Sequence, residues 1–356
     1  MDLSFISRLF GTQQAVTPAR KILFIHAGSY KTGTTFFQHQ LFHNRRKLRR
    51  NGLLYPKIGL GLKTPHNKYA HRTLGISIVN GKQNLFPSII ENLNSTEQLK
   101  AAYVSYEGFS NPDLLGKLQA LPSRFEGVDV QVILVFRPHM DYALSMYREL
   151  CKHVGFSGPV TEFFDPRTAE GKKWHAVLDY RSVIEAWADI VGPENLHILS
   201  YNQIKSDVTG ALLAPTGLKM VLKDPPEQQQ NLTLSAPAAA VMRRMNAKKP
   251  TIVLRHMMAH KVRELDLKYP DFAKFGELTS DEGHALEERF ENDRNYLQAF
   301  GFDPAADLKI SHWRWGEEAE MTDAVDEFHA ALIDSIDGTQ NPNMLELAKK
   351  AQTHAA

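Results

Sequence analysis

The chain has few of the residues on which several chemistries depend. Cys151 is its only cysteine, which excludes an intramolecular disulfide and a cysteine-based zinc cluster. An excess of one charge is also missing. Lys and Arg number 42 against 40 Asp and Glu, a net charge of +2, so the basic balance of a general nucleic-acid binder is absent and any anion site must be local. No apolar run approaches the ~18 residues of a membrane-spanning helix. The N-terminal stretch from Met1 to Val16 has neither a basic start nor a small-residue cleavage site, and the expectation is a cytoplasmic protein without a membrane span. There is no internal repeat and no long low-complexity linker. With 43% hydrophobic residues, the chain is expected to build one domain over 1–356, its core at about 20–303 and a helical extension at about 304–356.

What is present alternates between two periods. Lys21 to His26 is a short apolar run that suits a strand buried on both faces of a parallel sheet. From Thr34 the spacing turns helical, with Phe37, Leu41 and Leu48 on one side, a basic run from Arg45 to Arg50 at the end, and Asn51-Gly52 as the stop. Ala101 to Ser105 and Val130 to Phe136 read as further strands, the second followed by Arg137-Pro138. A helix through Tyr142, Met146 and Leu150, another from Tyr180 to Ile190 and a strand from Leu196 to Ser200 continue the alternation. The expected fold is therefore α/β, a mainly parallel sheet with helices on both faces. Beyond Tyr201 the pattern is almost wholly helical, at 236–246, 253–267, 280–300 and 322–333, with a loosely attached helix after Asn341.

The first strand runs into Gly28-Ser29-Tyr30-Lys31-Thr32-Gly33-Thr34-Thr35. Glycines allow the backbone to turn close to a ligand, successive N–H groups at a helix start face an anion, Lys31 adds a full charge, and the threonines add hydroxyl donors. The order departs from GxxxxGK[ST], because the lysine precedes the second glycine. That points away from ordinary ATPases and kinases.

The segment Lys31-Thr32-Gly33-Thr34-Thr35 resembles instead the 5′-phosphosulfate loop of sulfotransferases that use 3′-phosphoadenosine 5′-phosphosulfate (PAPS), bacterial members in particular, which share a P-loop-like fold. Val135-Phe136-Arg137-Pro138, with Ser145 eight positions after the arginine, is similar to the family's 3′-phosphate motif. The resemblance extends more loosely from Lys21 to Asp303. It implies PAPS as co-substrate, with Gly28, Ser29, Lys31, Thr32, Gly33, Thr34, Thr35, Arg137 and Ser145 around it, a hydroxylated small molecule or glycan as acceptor, and no metal.

Sulfuryl transfer requires a base for the acceptor hydroxyl and a cation for the leaving oxygen. Lys31 is the candidate cation. Glu107, after the second strand, is the favoured base, although a carboxylate there could equally orient the helix near Asn111. His66 is the competing base, since imidazole titrates near neutral pH; the i, i+5 spacing of His66 and His71 does not suit a helical metal site. Arg137 alone could simply pair with Asp141. The basic run from Arg45 to Arg50 reads more readily as a solvated helix end than as a steering patch, and Arg243-Arg244 could face either the nucleotide or water. The aromatic residues Tyr55, Tyr69, Phe109 and Phe156 could form a sugar platform or pack in the core. Two other functions stay open: a P-loop kinase of a small molecule, and a nucleotide-binding module without catalysis.

Overall fold

A computed structural model describes residues 20–62, 68–121, 125–165, 167–168, 178–226, 233–303, 307 and 318–352. Five strands, β1 (Lys21–His26), β2 (Leu53–Leu54), β3 (Ala101–Ser105), β4 (Val128–Phe136) and β5 (Leu196–Ser200), form one sheet in the order β2-β3-β1-β4-β5. Every pairing is parallel, with β1 central. His26 lies beside Ser105 on one side and Ile133 on the other. The α/β class and the parallel sheet follow the alternation in the sequence.

Side chains alternate across this sheet into two cores, as a period of two requires. Leu23, Ile25, Ala102, Val104, Val132 and Leu134 face one, whereas Phe24, Tyr103, Ile133 and Val135 face the other. The second core is covered by α1 (Thr34–Arg50), through Phe37, Leu41 and Leu48. On the first core lie α2 (Arg72–Val79), α3 (Phe86–Asn94), α4 (Pro112–Ala120), α5 (His139–Glu149) and α7 (Tyr180–Val191). The short α6 (Val160–Phe164) lies between the last two in sequence. The chain therefore leaves β1 onto one face and leaves β3 and β4 onto the other. In open α/β sheets such a divergence forms a crevice at the carboxyl ends of the strands.

After α8 (Tyr201–Ile204) and α9 (Val208–Leu213) come α10 (Ala236–Asn246), α11 (Ile252–Asp266), α12 (Ser280–Arg289), α13 (Glu291–Gln298), α14 (Glu318–Ser335) and α15 (Pro342–Gln352). The single helix expected over 280–300 is two, parted at Phe290, which is buried among core residues. The last helix is not loosely attached. Met344, Leu347, Ala348 and Ala351 are buried, continuous with the core that includes Met242, Met245 and Val262. Its polar positions hid this face in the sequence. No helix among the described residues is long and apolar enough to cross a membrane.

Gly28 is a point where packing admits no side chain. A Cβ there would lie 2.7 Å from His26 Nε2 and 3.2 Å from Val135 Cβ. Gly28→Ala is therefore expected to lower stability by about 1–3 kcal/mol in urea denaturation. In a His26→Ala background the same change should cost clearly less, because the closest clash is gone; equal cost in both backgrounds would refute this packing account.

Candidate active site

The loop between β1 and α1 is tied to the sheet edge before it turns. Ala27 N–H donates to Ile133 O at 2.9 Å and Ser29 N–H to Val135 O at 3.1 Å, while Thr32 Oγ1 donates to Ser29 O at 2.8 Å. Lys31 (φ 67°) and Gly33 (φ 76°) both occupy the left-handed region. That conformation suits Gly33, but at Lys31 it requires support from its surroundings. The support comes from Arg137, whose guanidinium donates to Lys31 O at 2.9 Å. α1 then begins with no side-chain cap and no acidic residue in its first turn, so its leading N–H groups and its dipole favour an anion. Thr34 is buried there and Thr35 half-buried.

Arg137 lies just past the end of β4. One of its nitrogens holds Lys31 O, another is 3.9 Å from Asp141, and its Nε is buried with no partner. Its guanidinium also faces the Tyr201 ring at 5.3 Å, and Tyr180 donates to its carbonyl at 3.0 Å. The Asp141 contact is too long to saturate a five-donor fork. Ser145 is buried on α5, two turns along from Arg137.

Glu107 opens a short 3₁₀ turn, Glu107–Ser110, directly after β3, and is 3% exposed. Its Oε1 accepts from Thr34 Oγ1 and from Gln38 Nε2, the latter at 3.1 Å, and its Oε2 is buried without a partner. Burial raises its pKa, an effect that the Thr34 and Gln38 hydrogen bonds oppose. It does not cap the neighbouring helix. Asn111 does, by accepting from Asp113 N–H.

Three residues of this network were not anticipated from the sequence. Gln38 also donates to Ser105 Oγ at 3.1 Å, and Ser105 Oγ lies 2.8 Å from His26 Nδ1. Gln38 spends one N–H on Glu107 and one on Ser105, and the Ser105 hydroxyl also meets His26 Nδ1. His26 Nε2, on the other side of the ring, is buried, unpartnered and beneath Gly28. Burial holds the His26 pKa down at about 3, so the ring is neutral. Gln38 could have been found from its i+4 position behind Thr34, on the same helix face. His26 and Ser105 come together only through strand pairing.

His66 lies outside the described residues. His71 is placed and is structural: Nδ1 accepts from Ser105 N–H and Nε2 lies 3.1 Å from Pro56 O, with burial lowering its pKa to about 4. Tyr55 and Phe109 are core residues, and Phe156 packs on Tyr147 and Phe163. Tyr69 stacks on Phe42 with ring centroids 4.1 Å apart. Arg244 pairs with Asp326, whereas Arg243 donates to the Tyr147 hydroxyl. In the basic run Arg45 donates to the local Phe42 O, whereas Lys47 reaches Val221 O on a segment distant in sequence.

Lys31 Nζ is 3.0 Å from Glu149 Oε2. Burial alone would raise the Glu149 pKa, but the charges of Lys31, Lys152 and His153 together outweigh it and hold the carboxyl at about 2.

No protein-family model matches the chain, and no curated protein matches it. Among solved structures the chain is similar to a sulfotransferase from Alicyclobacillus acidocaldarius, at 13% identity and a TM-score of 0.39, over 68% of this chain and 96% of that one. A likeness this low carries no argument about chemistry.

The two carboxylates should give opposite pH dependences of stability. Glu149 has a folded pKa of about 2 against an ordinary 4.5, so its contribution is present above 4.5 and lost as pH falls towards 2. Glu149→Gln is expected to cost about 2 kcal/mol near neutral pH in urea melts, with the deficit closing below pH 4.5. For Glu107 the folded pKa is raised, so stability is fully present below 4.5 and lost as pH rises through the folded value. Glu107→Gln should therefore gain on the wild type as pH rises over that range. Parallel pH profiles for the two variants would contradict both assignments.

Proposed function

We propose that the protein transfers a sulfuryl group from PAPS to the hydroxyl of a carbohydrate or small metabolite. One observation carries this reading: the loop, Arg137 and Glu107, identified separately along the sequence, meet at the carboxyl edge of three adjacent strands and touch one another, Arg137 through Lys31 O and Glu107 through Thr34.

The residues suit a nucleotide with two separate anionic groups. Arg137 keeps donors uncommitted, including a buried Nε without a partner, and charge-assisted bonds from a guanidinium fork favour a phosphate. In this reading Arg137 and Ser145 hold the 3′-phosphate, while Gly28, Ser29, Thr32, Gly33 and the first N–H groups of α1 hold the 5′ end with Lys31, Thr34 and Thr35. The nucleotide supplies the sulfuryl group and departs as adenosine 3′,5′-bisphosphate.

Glu107 serves as the general base. Its Oε1 is occupied by two donors, which fixes the carboxylate plane, and its Oε2 is left to accept the acceptor's proton. A raised pKa strengthens it for that task. Lys31 neutralises charge that develops on the leaving oxygen. His66 remains the competing base.

A second reading, a small-molecule kinase, draws support from the Thr34–Glu107 pair, because a loop hydroxyl beside a carboxylate is a way to hold magnesium in phosphoryl transfer.

Adenosine 3′,5′-bisphosphate at saturation should raise the melting temperature by several degrees. Arg137→Ala should weaken its binding about 10-fold or more, and should weaken adenosine 5′-phosphate binding by less, since that ligand feels only the loss of the bond that supports Lys31 O. Glu107→Gln should lower the rate of labelled sulfate transfer by about 100-fold with bisphosphate affinity retained. Absence of bisphosphate binding, together with magnesium-dependent ATP turnover, would decide for the kinase. Full transferase activity in both Glu107→Gln and His66→Ala would remove the base assignment.

A further inference from the structure

Two lysines share one oxygen of Glu149, the last residue of α5. Lys31 Nζ is 3.0 Å and Lys152 Nζ 3.1 Å from Oε2, while His153 Nε2 is 3.2 Å from Oε1. The two lysines are not equivalent. Lys152 stands three positions after Glu149, on the π-helical turn Leu150–Val154, and its side chain is 4% exposed. At that burial its ammonium needs the carboxylate. Lys31 arrives from 118 positions away in the chain, on the loop between β1 and α1, and its side chain is 14% exposed. When Lys31 lets go, Glu149 keeps Lys152, and no carboxylate is left uncompensated in a poorly solvated place. Lys31 is therefore the exchangeable partner of the two.

The bond to Glu149 also draws Lys31 away from the transfer site. α5 passes the loop at Tyr142, which meets the Tyr30 backbone and whose pKa is raised by burial and then by the charge of Glu107. Glu149 lies two turns beyond Tyr142, about 10 Å farther along the helix axis. Thr34 and Glu107 meet at the first turn of α1 and the end of β3. Neutralising a leaving oxygen beside that turn and pairing with Glu149 place the same ammonium at two different points.

We infer that Glu149 is a positioning residue that competes with the nucleotide for Lys31: carboxylate and 5′ anion contend for one ammonium, and Lys152 neutralises Glu149 whenever Lys31 passes to the anion. The choice of anion rests on the sulfotransferase reading. The competition lowers the affinity of the loop for its ligand and speeds release of the bisphosphate, because Glu149 recovers Lys31 as the product departs.

The test is calorimetric titration of the full chain with adenosine 3′,5′-bisphosphate, run as a cycle over the wild type, Glu149→Gln, Lys31→Met and the double variant. Glu149→Gln should bind about 5–10-fold more tightly, because a larger fraction of Lys31 is available to the anion, and stopped-flow dissociation should be slower. In the Lys31→Met background Glu149→Gln should bring no gain. A gain of equal size in both backgrounds is a general charge effect and overturns the inference. So does unchanged or weaker binding in Glu149→Gln, which would mean that the carboxylate props Lys31 towards the ligand. Should Glu149→Gln not fold, Glu149→Asp, which withdraws the charge by one methylene, should give a smaller gain with the same dependence on Lys31. If the bisphosphate does not bind the wild type, the sulfotransferase reading fails, and the same cycle with ATP decides: a Lys31-dependent gain upholds the competition, and its absence overturns it.

Discussion

A carboxylate buried at the end of a central strand needs donors, and that need organises this edge of the molecule. Glu107 is desolvated behind β3, so its charge is tolerable only with charge-assisted bonds. Thr34 and Gln38 provide them from successive turns of α1. The same Gln38 also donates to the Ser105 hydroxyl, which in turn meets His26 Nδ1. The loop thus stands on a floor of side chains already joined by hydrogen bonds before any ligand arrives, which is what a preorganised polar site requires.

Strain and charge are balanced on the opposite side of the loop. Lys31 is held in a left-handed conformation that a lysine adopts at some cost, and the restraining donor is Arg137 from the neighbouring strand. A single guanidinium therefore shapes the loop and keeps donors in reserve. This is why the two motifs behave as one unit although about a hundred residues separate them in the chain.

Much of this was legible in the sequence. Short apolar runs marked β1, β4 and β5, and more weakly β3, with the β-branched β4 closed by Arg137-Pro138 as the clearest, and the loop was readable because glycines, a lysine and threonines at a strand-to-helix junction have few other uses. β2 is only two residues long and carries no periodic signal. The partnership of His26, Ser105 and Gln38 depends on register between strands that are distant in sequence, which no local pattern encodes. The cluster on Glu149 was hidden for a related reason: its i+3 and i+4 partners Lys152 and His153 were visible as charges, but Lys31 joins them only when α5 folds back across the loop. Arg137 was ambiguous between Asp141 and a ligand until the 3.9 Å separation showed how loosely the pair is made.

One amide on α10 gives the far end of the chain a stake in this edge. Asn246 Nδ2 donates to Cys151 O at 2.7 Å and to Phe156 O at 3.0 Å, clasping the π-helical turn at both ends. Its helix is in turn packed by α14 and α15. The turn that presents Lys152 is therefore anchored to the terminal bundle as well as to the sheet. The last helices thus brace, through Asn246, the turn that carries the cations beside Lys31.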